Sequence, residues 1–109
     1  MKQLIGFITL ILVVNGAFAS TYKGQMAFSK SCVSCHTNAQ DFIESKTKLQ
    51  WKTTIEENGI GLAKIHLKSN RAKDSWKYFY SDEYKKSVKN IEEFLVEYAK
   101  DSGKVPICK

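Results

Sequence analysis

Cys32-Val33-Ser34-Cys35-His36 is a run of two thiols, spaced by two residues, followed at once by an imidazole. That spacing reads as the attachment site of a c-type haem. Each thiol can add across one vinyl group of the macrocycle to give a thioether, and the histidine beside the second thioether is then held over the iron as its axial ligand. A cofactor bound through two carbon–sulfur bonds does not dissociate. Two other uses of the run stay open on the sequence. A redox dithiol wants a βαβ surrounding, and no strand–helix–strand alternation lies nearby. A zinc site needs further ligands at short spacing, whereas His66 and Cys108 are distant and badly spaced for a finger.

The N-terminal residues agree with a protein exported to an oxidising compartment. Lys2 is followed by an apolar run from Leu4 to Val14, interrupted only by Gly6 and Thr9, and then by Ala17-Phe18-Ala19 before Ser20. This is the charged, apolar and small-x-small order of a cleavable secretory signal. The apolar run is shorter than the ~20 residues that span a bilayer. The expected division is therefore a signal peptide over residues 1–19 and a haem domain over 20–109, with localisation in the periplasm. An uncleaved membrane anchor is the alternative. A domain of this size buries a modest core, and small domains commonly recruit a metal, disulfide or cofactor. The haem-free chain is expected to be largely unfolded.

Between Thr21 and Ser31 the chain reads as a helix leading into the motif. The stretch Gly24-Gln25-Met26-Ala27-Phe28-Ser29-Lys30-Ser31, together with Cys32 to His36, resembles the N-terminal helix and haem motif of small monohaem class I cytochromes c. In that family a glycine lies eight residues, and an aromatic four residues, before the first cysteine, as Gly24 and Phe28 do. The resemblance implies that Gly24 allows a close crossing by the C-terminal helix. It also implies that Phe28 packs on the haem edge and on that helix. Phe94-Leu95-Val96-Glu97-Tyr98-Ala99 is similar to the family's aromatic-bearing C-terminal helix. The likeness covers both ends of the domain well and the middle poorly.

Local signals place the remaining elements. Thr37 to Ser45 reads as loop with at most one helical turn around Phe42 and Ile43. Thr47-Lys48-Leu49-Gln50 has the form of a capping box that opens a helix through Trp51 and Ile55, stopped at Asn58-Gly59. A helix over about Gly61–Lys68 sets Leu62, Ile65 and His66 on one apolar face, and Asn70 ends it. Arg71 to Ser75 reads as a polar connection. Ser81 caps a helix whose apolar positions are Tyr84, Val88, Ile91, Leu95 and Tyr98, with Gly103 at its end. Asn90 opens a second possible capping box within it. No stretch alternates with period two, so the expected fold is all-α. It is a cytochrome c-like bundle of three to five short helices around one haem c, covalently bound through Cys32 and Cys35.

The family usually supplies a methionine as distal ligand between the motif and the last helix. This chain has none there, since Met26 precedes the motif. His66, the only histidine besides His36, is the leading substitute; a lysine, a tyrosine or an open site are the alternatives. The candidate metal ligands are thus His36 and His66, and the cofactor-binding residues Cys32, Cys35, His36 and His66. Trp51, Trp76, Phe79, Tyr80, Tyr84, Phe94 and Tyr98 are expected as core and haem-wall packing. Tyr78-Phe79-Tyr80 is a candidate contact to a propionate or a partner.

These residues point to single-electron transfer between redox partners rather than to an enzyme, because no nucleophile, paired acid and base or second metal motif is present. A haem-based binder or sensor of small ligands is the alternative. A peroxidase is disfavoured for want of positioned distal acid/base groups. The net charge of +6, carried by 17 basic residues of which Arg71 is the one arginine, suits acidic redox proteins or peripheral contact with an anionic membrane surface. Scattered lysines in an exported chain do not suggest nucleic acid. A monomer is expected, and Cys108 is left without an assigned role.

Overall fold

The structure, a computed structural model, describes residues 16–106, with side chains from Ser20 onward. Six α-helices follow in order: α1 (Gly16–Ser31), α2 (Ala39–Ile43), α3 (Lys48–Ile55), α4 (Ile60–Leu67), α5 (Trp76–Phe79) and α6 (Asp82–Glu97). Single 3-10 stretches cover Glu57–Gly59 and Asn70–Ser75. The described residues contain no strand, and the fold is all-α. Six helices stand where three to five were expected, because α2 and α5 are only five and four residues long, too short for a periodic pattern to register. The signal-peptide segment lies outside the described residues, except that Gly16–Ala19 continue the backbone of α1. Cys108 also lies outside them. Among the described residues no helix is long and apolar enough to cross a membrane.

Helices α1 and α6 cross in direct contact at Gly24. A Cβ added there would sit 1.9 Å from the Asn90 carbonyl oxygen and 2.8 Å from Phe94 Cβ, so only hydrogen fits. One turn further along, Phe28 is 1% exposed, with its ring 5.6 Å from Phe94 and 6.0 Å from Phe42. Tyr84, Val88, Ile91, Phe94 and Leu95 of α6 are all buried. Full burial of such side chains contributes roughly 1.5–3 kcal/mol each. The Ser81 side chain accepts from the Tyr84 amide, and Asp82 and Glu83 occupy the first turn, where negative charge suits the helix dipole.

Helix α6 passes Asn90 unbroken and ends at Glu97, well before Gly103. Beyond that end the chain is tied to the start of α3 and to the residues just before it. The Lys100 amide donates to the Lys46 carbonyl at 2.9 Å, and the Lys48 amide donates to Asp101 Oδ1 at 2.9 Å. Helix α3 opens with the expected capping box: the Thr47 side chain accepts from the Gln50 amide, and the Gln50 side chain accepts from the Thr47 amide. Trp51 and Ile55 are buried beneath it, and the Trp51 indole donates to the Ile43 carbonyl at 2.9 Å. The helix stops at Ile55 instead of at Asn58-Gly59, since Glu56 already turns to φ +34°.

Helix α4 spans Ile60–Leu67, one residue earlier than the sequence suggests, and buries no residue completely. The Arg71–Ser75 connection is a 3-10 stretch rather than irregular chain. Both helix–helix and capping terms can be measured. Gly24→Ala is expected to lower stability by at least about 3 kcal/mol, because backbone atoms of α6 cannot move aside. Thr47→Ala is expected to cost about 1 kcal/mol. Thermal or denaturant unfolding followed by circular dichroism ranks the two, and equal costs would contradict the crossing.

Candidate cofactor cavity

Helix α1 ends at a cavity of about 420 Å³ lined by Phe28, Ser31 and Cys32, and by Cys35 and His36 just beyond. This volume falls within the ~300–1,000 Å³ typical of small-molecule and cofactor sites. The motif continues the winding of α1: the Cys32 amide donates to the Phe28 carbonyl at 2.8 Å, and the His36 amide donates to the Cys32 carbonyl at 2.9 Å. That turn brings Cys32, Cys35 and His36 to one side of the chain. The His36 imidazole stacks on Phe42 with centroids 4.0 Å apart.

Leu62, Ile65 and His66 of α4 line the same cavity. That apolar face is therefore a cavity wall, and Ile65 is 55% exposed. His66 is held on three sides. Its Nδ1 lies 2.8 Å from the Leu62 carbonyl oxygen. A carbonyl can only accept, so Nδ1 carries the proton and the lone pair resides on Nε2. The Trp76 indole donates to the His66 backbone carbonyl at 2.7 Å, and Phe79 stacks on the imidazole at 4.2 Å. The two histidines face one space: their ring centroids are 6.2 Å apart with planes at 86°.

Burial, followed by the neighbouring Cys35, pushes the Cys32 thiol up to about 12. Burial, followed by the nearby His66, holds His36 below the ordinary imidazole value and favours its neutral, lone-pair-bearing form. Burial also raises the Tyr84 phenol, which stays a hydrogen-bond donor. The described residues hold no group of three or more His, Cys, Asp or Glu side chains arranged for a metal ion.

The remaining walls differ in part from expectation. Trp51, Phe79 and Tyr84 line the cavity, whereas Trp76, Phe94 and Tyr98 do not. Trp76 instead braces His66, Phe94 fills the helix crossing, and Tyr80 is 70% exposed. Met26 is 55% exposed and away from the cavity. Sequence reasoning missed Ser69, Arg71 and Ser75 at the rim; the solitary status of Arg71 was the one available signal. Tyr78 also lines the space. Its hydroxyl is buried without a well-aligned partner, although Ser31 and Ser87 lie near it. Compared with known protein families, curated proteins and solved structures, the chain matches none.

Proposed function

We propose that the chain is an exported, cytochrome c-like electron carrier with one haem c bound through Cys32 and Cys35 and ligated by His36 and His66. The observation that carries this reading is the 6.2 Å spacing of the two imidazoles in a cavity also lined by both cysteines. A spacing of this size would leave room for one metal ion between two imidazole donors, at metal–nitrogen distances of about 2 Å. A macrocycle supplies four nitrogens of its own, so the protein need provide only the axial pair. When bound, the haem would supply a one-electron ferrous/ferric couple.

The protein's own residues do the rest. Leu62 fixes the His66 tautomer through its carbonyl, leaving Nε2 free to ligate, a second-shell role common at metal-binding histidines. Phe28, Phe42, Trp51, Leu62 and Phe79 present apolar walls that suit a large flat ring and limit water. Arg71 at the rim suits an acidic group of the cofactor. A histidine pair sets a lower reduction potential than the usual methionine-containing pair. Lys64, Lys68, Lys73 and Lys77, opposed only by Asp74 in residues 64–77, are exposed beside the cavity-lining residues of α4 and the 3-10 stretch. They favour acidic redox partners, steered most strongly at low salt. The periplasm is the compartment that this chemistry and the N-terminal segment suggest.

Two measurements test the ligand assignment. His66→Ala is expected to convert a six-coordinate low-spin iron to a five-coordinate or mixed species that binds carbon monoxide when reduced. An unchanged low-spin spectrum would remove His66 as the ligand, and ready carbon monoxide binding by the unaltered protein would favour the sensor reading. The second is a pH titration. Burial and the nearby His66 hold His36 toward its neutral form, and an iron–nitrogen bond would occupy the lone pair that a proton needs, so acid would have to break that bond first. The low-spin spectrum should therefore survive below pH ~6.5, and its loss at or above that pH would contradict the assignment.

A further inference from the structure

The chain between α3 and α4 runs left-handed. Glu56, Glu57 and Asn58 have φ of 34°, 49° and 56°, and Gly59 has 95°. Three consecutive non-glycine residues in this region persist only where their surroundings over-determine the backbone. Here the constraint comes from α6. The Tyr84 hydroxyl donates to the Gly59 carbonyl, and a Cβ at Gly59 would fall 2.5 Å from Val88 Cγ2.

Gly59 is the N-cap of α4, the helix that carries His66. The Tyr84 ring also lies 4.8 Å from Phe79, and Phe79 is stacked on the His66 imidazole. One side chain thus braces both the start of the helix and the ring on which its histidine rests.

We propose that Tyr84 is the positioning residue for His66, its hydroxyl pinning the strained Glu56–Gly59 turn so that α4 presents the imidazole to the cavity opposite its partner ligand. The inference rests on the haem reading of the site. Without the hydroxyl the turn is free to relax toward ordinary right-handed backbone, α4 loses its anchor at Gly59, and His66 spends more time off the iron. The ring contact with Phe79 remains in a Tyr84→Phe variant, so that substitution isolates the pin.

Carbon monoxide titration of the reduced, haem-loaded full chain reads the fraction of His66 displaced. Loss of one buried hydrogen bond shifts a two-state population by roughly tenfold, so Tyr84→Phe is expected to raise the apparent carbon monoxide affinity about tenfold. Thr47→Ala, at the opposite end of α3 from the turn, is expected to keep the unaltered affinity despite its lower stability. An unchanged affinity in Tyr84→Phe, or an equal rise in Thr47→Ala, overturns the proposal. If Tyr84→Phe does not fold, Tyr84→4-fluorophenylalanine, which keeps the size of the side chain and removes the donor, takes its place, with the same rise expected and the same overturning result. Failure of the underlying reading looks different: the unaltered protein would then lack low-spin iron, or His66→Ala would leave its spectrum as it was.

Discussion

Helix α1 lies directly on α6 at Gly24, with no room for even a methyl group against the Asn90 carbonyl, and the rest of the molecule depends on that contact. It fixes where α1 ends, and therefore where Cys32 and His36 emerge. It also brings Phe28 onto Phe94, building the base of the core from both helices. Van der Waals contact between backbones is short-ranged, so a small displacement at the crossing would lose much of the packing along both helices. The Lys30–Glu83 ion pair between these helices, at 2.9 Å and largely exposed, is a minor addition.

What the two crossed helices do not build is a closed interior. Helix α4 has no fully buried residue, and its Leu62 and Ile65 border a cavity that also holds both imidazoles. A small domain gains most from a cofactor when its apolar surface converges on one space, because filling that space substitutes for side chains it does not have. The proposed haem would join α1, through Cys32, to α4, through His66. On that view folding and cofactor binding are one transaction, and the brace that Trp76, Phe79 and Tyr84 form around His66 sets the ligand before any iron arrives.

Features written in short local patterns were legible in the sequence. The Thr47–Gln50 capping box needs four residues to specify, the α6 stripe repeats every three or four positions, and both occur where the patterns place them. Helical phase also groups Leu62, Ile65 and His66, which line one cavity together. Features fixed by distant contacts were not. Asn58-Gly59 marks a left-handed residue, but nothing in Glu56-Glu57 announces that the path starts there, since the turn is held by Tyr84 and Val88 far along the chain. Nor does any local pattern mark the end of α6 at Glu97, beyond which Lys100 and Asp101 are tied to the start of α3 and to the residues just before it. Helical phase says which residues of α4 share a side, not what that side meets.

Mass spectrometry of the peptide containing Cys32 and Cys35, taken from protein matured in a periplasm equipped for haem attachment and then fully denatured, tests the central claim most directly. The proposal expects that peptide to carry the added mass of one haem that survives denaturation, with neither thiol open to alkylation. Two free or mutually disulfide-bonded cysteines at those positions, with no added mass, would contradict it.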